Sequence, residues 1–321
     1  MATMVTNNLP GGLWPVMLTP FLENNQVDYD GLEHLTHFYL QHGAKGLFAN
    51  CLSSEMYQLT DEERLKIIRT VIKVSGNKAP VIATGTLTSN IQHNADFVSK
   101  VHDEGVAAVI IITNLFAEME DSETTFKKNI ETLLQKTGNI PLGLYECPVP
   151  YKRLLSAELM YWLAGTKRFF YHKDTSCNAE AINKKLEAIK GSPLFLYNAN
   201  TATALSSLEN GARGFSAIGA NLYPELYSYL FHEFETQGSS PELKQLNQQL
   251  TIMDTVVDLC YPFSAKFFLQ KRGIPISTQC RIPYQKPKAE NFIKLNTLMQ
   301  VFQRLSEKLQ IDAAGVPVGR A

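Results

Sequence analysis

The chain has 321 residues, 45% of them hydrophobic and 19% charged, with a net charge of −1 and a pI near 6.7. That length supports one large domain, or a domain with a smaller appendage, around a sizeable core. The near-neutral balance leaves no basic footprint for nucleic acid and no single-sign block for a membrane surface. The opening "MATMVTNNLPGG" has neither the basic n-region nor the long apolar stretch of a secretory signal. No apolar run reaches the roughly 18 residues that span a bilayer. Cys51, Cys147, Cys177, Cys260 and Cys280 are scattered, odd in number and without a CxxC pair. The expectation is a cytoplasmic protein with reduced thiols, no zinc site and no cofactor.

In chain order, short β-rich runs alternate with helical patterns. The runs are "LWPVMLTPF" (13–21), "GLFANC" (46–51), "VIATGT" (81–86), "AVIIIT" (108–113), "LGLYECP" (142–148), "RFFYHKD" (168–174), "LFLYNAN" (194–200) and "GFSAIGA" (214–220). Each follows the last by about 20–35 residues, the spacing of a βα unit. Between them lie amphipathic stretches such as "DEERLKIIRTVIKVSG" and "SETTFKKNIETLLQKTG", which open on capping-type residues and stop at Gly76 and Gly138. The runs are apolar on both faces, as strands of a parallel sheet are. Eight such beats predict an α/β fold, a (β/α)8 or TIM barrel, over residues 1–237. A doubly wound open sheet is the rival, but the turn after its first strand should carry a Gly-rich phosphate loop, and here that position reads "LTPFLENNQ". Beyond Gly238 the strand signal stops. "PELKQLNQQLTIMDTVVDLC", "SAKFFLQKRG" and "KAENFIKLNTLMQVFQRLSEKLQ" read as helices, "IPISTQCRIPYQKP" as a loop, and 311–321 as a tail. Residues 238–321 are therefore expected to form a C-terminal helical extension.

A barrel builds its active site at the C-terminal ends of its strands. Those ends carry Ser53 and Ser54 after the second, Tyr145 on the fifth, Lys173 on the sixth and Ser216 on the eighth. Side chains alternate along a strand, so an inward Lys173 turns His172 toward the helix layer. A lysine inside a barrel is costly when charged, and burial favours its neutral amine. A neutral amine attacks carbonyls and forms Schiff bases. The competing reading is a structural ion pair between Lys173 and Asp174 or Glu146. Tyr145, on the adjacent strand at similar depth, is a phenol able to move protons at an imine. Ser53 and Ser54, with their backbone N–H groups, suit a substrate carboxylate. Glu146 should face the helix layer, where a carboxylate needs a partner. Cys147 returns to the Tyr145 side, Glu55 reads as a brace for its loop, and His34, His37, His42, His93, His102 and His232 fall on predicted helices without metal-ligand placement.

Taken together these segments resemble the dihydrodipicolinate synthase / N-acetylneuraminate lyase family of class I aldolases. "GLWPVMLTPF" is similar to the family's first strand, and "GLFANCLSSEMYQLTDEER" to its Gly-Thr-Thr-Gly-Glu loop and the acidic helix start beyond. "GLYECP" is similar to the Tyr-Asn-x-Pro strand, "YHKDTS" to the Lys-Asp-x-Ser strand, and "NGARGFSAIGANLYPEL" to the Gly-Ala-x-Gly strand and its helix. The resemblance covers roughly 13–235 and extends to the helical tail. It implies a Schiff base at Lys173, proton relay by Tyr145 and a homo-oligomer, dimer or tetramer. Three positions depart from the synthase branch. Leu52 stands where that branch has the first loop threonine, Phe116 where it has a relay tyrosine from a partner subunit, and Pro150 where it has the arginine that binds the second substrate's carboxylate. Lys152 or Arg153 could replace that arginine only if the loop bends differently.

The sequence thus predicts a metal-independent lyase. Lys173 forms an imine with pyruvate or a related 2-oxo acid, Tyr145 moves protons, Ser53, Ser54 and Ser216 line the site, and an adjacent C–C bond to an aldehyde is made or broken. A sugar-acid dehydratase using the same lysine, or a degenerate barrel that only binds a 2-oxo acid, are the alternatives.

Overall fold

The computed structural model describes residues 9–283 and 286–311; the expected tail lies outside them except for its first residue, Ile311. Eight parallel strands form one sheet: β1 (Gly12–Leu13), β2 (Leu47–Ala49), β3 (Val81–Thr84), β4 (Ala108–Ile112), β5 (Leu142–Tyr145), β6 (Phe169–Asp174), β7 (Phe195–Asn198) and β8 (Gly214–Phe215). Each strand from β2 to β8 pairs with the next, and β1 pairs with β8. A parallel bridge between Val16 and Phe48 closes the circle. The sheet is a (β/α)8 barrel.

The first strand is shorter than its apolar run because Pro15 has no N–H to give a ladder. Backbone pairing resumes beyond it, where Met17 N donates to Phe48 O. At the other seam the two backbones come so close that a Cβ on Gly214 would lie 2.0 Å from Gly12 O, so only glycine fits there. Large rings plug the barrel interior: Trp14 and Tyr197 approach at 5.3 Å, and Tyr171 stacks on Tyr197 at 4.3 Å between centroids.

Helices α1 (Tyr29–Gln41), α2 (Asp61–Ser75), α3 (Ile91–Asp103), α4 (Glu123–Lys136), α5 (Ala157–Gly165), α6 (Ala179–Ala188), α7 (Ala204–Glu209) and α8 (Pro224–Gln237) follow the strands in turn. Helix α2 shows why they form. Thr60 and Glu63 make a reciprocal capping box, Asp61, Glu62 and Glu63 fill the first turn, and Gly76 at φ +52° stops it. Its buried stripe, Ile67, Ile68 and Val71, keeps helical spacing against the strands.

Three more helices follow: α9 (Pro241–Val257), α10 (Phe263–Lys271) and α11 (Ala289–Leu309). A buried ion pair ties α10 to the barrel mouth. Lys266 Nζ lies 2.7 Å from Glu55 Oε1, and Glu55 also accepts from the backbone N–H groups of Arg281 at 2.5 Å and Ile282 at 2.9 Å. Glu55 sits at φ +58°, in the left-handed region, a conformation that this network holds in place. No helix of the described residues is long and apolar enough to cross a membrane.

Candidate active site

A cavity of about 640 Å³ opens at the C-terminal ends of the strands. Lys173 and Tyr145 form its floor, Leu52 and Ser53 one side, Val149 and Lys152 another. Thr251, Asp254, Thr255 and Asp258 form the far wall. These last four stand at helical spacing, and they give one polar face of α9 and its C-cap to the cavity.

Strands β5 and β6 pair with Tyr145 directly opposite Lys173. Lys173 Nζ lies 4.6 Å from the Tyr145 ring centroid. Both residues are buried, Lys173 at 4% exposure. Burial holds the Lys173 amine below the ordinary lysine value, against a smaller opposing influence of Cys51 and Cys147. Burial pushes the Tyr145 phenol well up, with the neighbouring thiols adding to the shift. Among the described residues Lys173 Nζ has neither an ion-pair nor a hydrogen-bond partner.

The carboxylates that could have paired with it are taken. Alternation turns Glu146 and Asp174 to the other side of the sheet, and there Lys185 of α6 meets both, at 2.5 Å from Glu146 Oε1 and 2.6 Å from Asp174 Oδ2. Burial alone would raise Glu146; the Lys185 ammonium and neighbouring hydrogen bonds outweigh it and bring the carboxyl to about 2. His172 shares this pocket, 3.4 Å from Glu146 Oε1, a close approach without an aligned hydrogen bond. The structural ion pair considered for Lys173 is not formed.

The three serines separate. Ser53 and Tyr261 both line the cavity, and the Tyr261 hydroxyl accepts from Asn221 Nδ2 at 2.9 Å. The Ser54 hydroxyl turns inward and donates to Met17 O at 2.5 Å, bracing the loop. Ser216 lies deeper, accepting from the Tyr171 hydroxyl at 2.9 Å and donating to Trp14 O at 3.1 Å. Neither Ser54 nor Ser216 reaches the cavity wall. Leu52 does reach it, whereas Phe116 packs edge-on against Phe126 in its own core, 1% exposed. The loop after β5 bends at a cis Val149–Pro150 bond. It brings Lys152 to the cavity, where Nζ donates to Thr175 O at 2.8 Å. Arg153 turns away and donates to the Glu118 and Asp121 carbonyls.

Cys147 is fully buried, and burial pushes its thiol up, with the Tyr145 and Tyr57 phenols acting in the opposite sense. Sequence reasoning had no role for Tyr57, for Tyr261, for the α9 face or for Lys185. Of these, only Lys185 left a signal: a lysine in the stripe Ile182, Lys185, Leu186 that α6 buries.

The model of the Dihydrodipicolinate synthetase family matches residues 9–301. The chain belongs to this family. Among its relatives, the 4-hydroxy-tetrahydrodipicolinate synthase of Staphylococcus epidermidis is 27% identical over 220 residues, 68% of this chain and 73% of that protein. The same enzyme of Oceanobacillus iheyensis is 22% identical over 91% of this chain and 97% of its own length. Among solved structures, the dihydrodipicolinate synthase of Bacillus anthracis superposes with a TM-score of 0.81 at 22% identity, covering 90% of this chain and 97% of that one. The Acinetobacter baumannii enzyme, solved with pyruvate, gives 0.82 at 21% identity, covering 92% and 99%. At these identities the superpositions speak for the fold. The family's enzymes are aldolase-type lyases, and this chain is a class I carbon–carbon lyase of that kind.

The unpaired amine has a measurable cost. Between its lowered native value and the ordinary 10.5, the unfolded chain holds a proton at Lys173 that the native protein does not. The cost is therefore complete below the native value and disappears as pH rises toward 10.5. Lys173→Met should raise the melting temperature near neutral pH, and the gain should shrink as pH approaches the ordinary lysine value. Thermal unfolding of both proteins across that range checks this; a loss of stability at neutral pH would mean that Lys173 is a structural partner after all.

Proposed function

We propose that Lys173 attacks C2 of pyruvate or a related 2-oxo acid, loses water and forms an imine. Loss of a proton from C3 then gives an enamine, which adds to the carbonyl carbon of an aldehyde; hydrolysis frees the product and returns the amine. The reverse sequence cleaves the same bond. Tyr145 carries protons to and from the intermediates, and Ser53 receives the carboxylate. The observation that carries this reading is a buried amine facing a cavity, set over a phenol, with the two carboxylates next to the pair in sequence, Glu146 and Asp174, both committed to Lys185. Pyruvate as first substrate gains support from the relative solved with it.

The second-substrate site is proposed to favour a less acidic, sugar-like partner. Leu52 and Phe116 remove two hydroxyls from the synthase pattern, and Pro150 removes its arginine. The far wall instead offers Thr251, Thr255 and Asp258, groups that meet hydroxyls, while Asp254 is satisfied by Thr201, Tyr223 and Tyr227. Lys152 is the one cation besides Lys173 on the described wall. A homo-oligomer, dimer or tetramer, is part of the proposal. Met119, Val149 and Leu154, exposed on the loops after β4 and β5, are surfaces that a second copy could cover. One relative has been characterised as a monomeric variant, so the mass in solution is informative: a chain that stays monomeric at micromolar concentration contradicts this part.

Borohydride reduction with pyruvate should add mass to the peptide holding Lys173 and to no other. An unmodified Lys173 peptide across a panel of 2-oxo acids would sink the mechanism. Tyr145→Phe, which removes a hydroxyl and little volume, should slow turnover by about 10²–10⁴-fold; a rate within about threefold of wild type assigns the proton work to another group.

With aspartate semialdehyde at saturating pyruvate, kcat/KM should fall below the usual enzyme range of about 10⁴ M⁻¹s⁻¹. A value above it would mean that Lys152, Arg153 or another residue has taken over the missing arginine's place.

A further inference from the structure

Behind β5 and β6, on the side away from the cavity, Glu146, Asp174 and Lys185 share one buried site. Glu146 and Asp174 are fully buried and Lys185 is 2% exposed. Glu146 directly follows Tyr145, and Asp174 directly follows Lys173. The same site stitches the two strand ends together. Thr175 N donates to Glu146 Oε2 at 3.0 Å, the Thr175 hydroxyl donates to Glu146 O at 2.6 Å, and Leu155 N donates to Glu146 Oε1 at 2.8 Å. Asp174 Oδ1 in turn accepts from Ser176 N and its hydroxyl.

We propose that Lys185 is a positioning residue for the reactive pair: its ammonium joins the carboxylate after Tyr145 to the carboxylate after Lys173, fixing the strand register that sets amine on phenol and neutralising charge behind the amine. This rests on the imine chemistry proposed above. Ligand atoms of Glu146, His172 and Asp174 lie within 4.8 Å of one another, the kind of cradle that holds a metal ion. Here a tethered ammonium fills that role. Helix α6 delivers it from a fixed position: Asn178 caps the helix, and Ile182 and Leu186 bury the same stripe.

Two consequences follow from charge and geometry. Without Lys185, two carboxylates share a buried site and hold one proton between them. Once that proton leaves, the extra negative charge favours the ammonium form of Lys173, so a higher pH is needed for the free amine. The lost tie also loosens the register. The other titratable groups described around the reactive pair are Cys147 and Tyr57 on the β5 and β2 sides, Cys51, His172, and Lys152, Cys177, Asp254, Asp258 and Tyr261 at the cavity wall; all stay unchanged in the variants below.

The test is the rate of borohydride trapping with pyruvate, followed against pH. Wild type must trap; if it does not, the imine reading itself fails. In Lys185→Met the trapping rate at neutral pH should fall by about tenfold or more, and the acid limb of the profile should move up by about half a pH unit or more. In the double variant Asp174→Asn with Lys185→Met, which has the wild-type net charge, the limb should return while the rate stays low. A purely structural role would lower the folded fraction without moving the limb. A single variant with wild-type rate and limb overturns the proposal. If the single variant does not fold, the double variant decides: a trapping rate per folded molecule that stays low with a wild-type limb supports the proposal, and a wild-type rate per folded molecule overturns it.

Discussion

A buried lysine with no ion-pair partner among the described residues constrains everything around it. Burying an ammonium is expensive, and burying a neutral amine much less so. The site therefore has to keep carboxylates away from Lys173 while leaving a cavity for a carbonyl to approach. Strand alternation does the first part, sending Glu146 and Asp174 to the helix side, and Lys185 completes it by pairing with both. The aromatic plug of Trp14, Tyr171 and Tyr197 fills the barrel below. Water and substrate then have access from the C-terminal mouth, where Ser53 and Leu52 stand.

The helices after the barrel are part of this arrangement. The Lys266–Glu55 pair holds the loop that presents Ser53, and Tyr261, between α9 and α10, lines the cavity with it. Helix α9 supplies the wall opposite the amine. Burial raises Asp254 to about 6 against the hydrogen bonds it accepts from Thr201, Tyr223 and Tyr227. The cavity is thus divided in character, with imine chemistry at the strand ends and a polar recognition face on a helix outside the barrel.

Much of this was legible in the sequence, for identifiable reasons. Doubly apolar runs at βα spacing call for a parallel sheet covered on both faces, and "LTPFLENNQ" in place of a Gly-rich loop after the first strand favours the barrel over the doubly wound sheet. Alternation within "RFFYHKD" and "LGLYECP" put Lys173 and Tyr145 on the same side at matching depth. The strand ends were less legible, because Pro15 has no N–H to give the ladder that the apolar pattern would have extended. Hydroxyl direction was not legible: Ser54 and Ser216 sit at strand ends as Ser53 does, yet their partners, Met17 O and the Tyr171–Trp14 pair, come from distant sequence. The bend that brings in Lys152 and turns out Arg153 depends on packing of the β5 loop against Asn114, which local sequence does not encode.

A crystal structure of the protein soaked with pyruvate tests the central claim most directly. The account predicts continuous density from Lys173 Nζ to C2 of the bound acid, with its carboxylate at Ser53 and the Tyr145 hydroxyl facing the new bond. Pyruvate bound in the cavity beside an unmodified Lys173, or covalently attached to any other lysine, would contradict it.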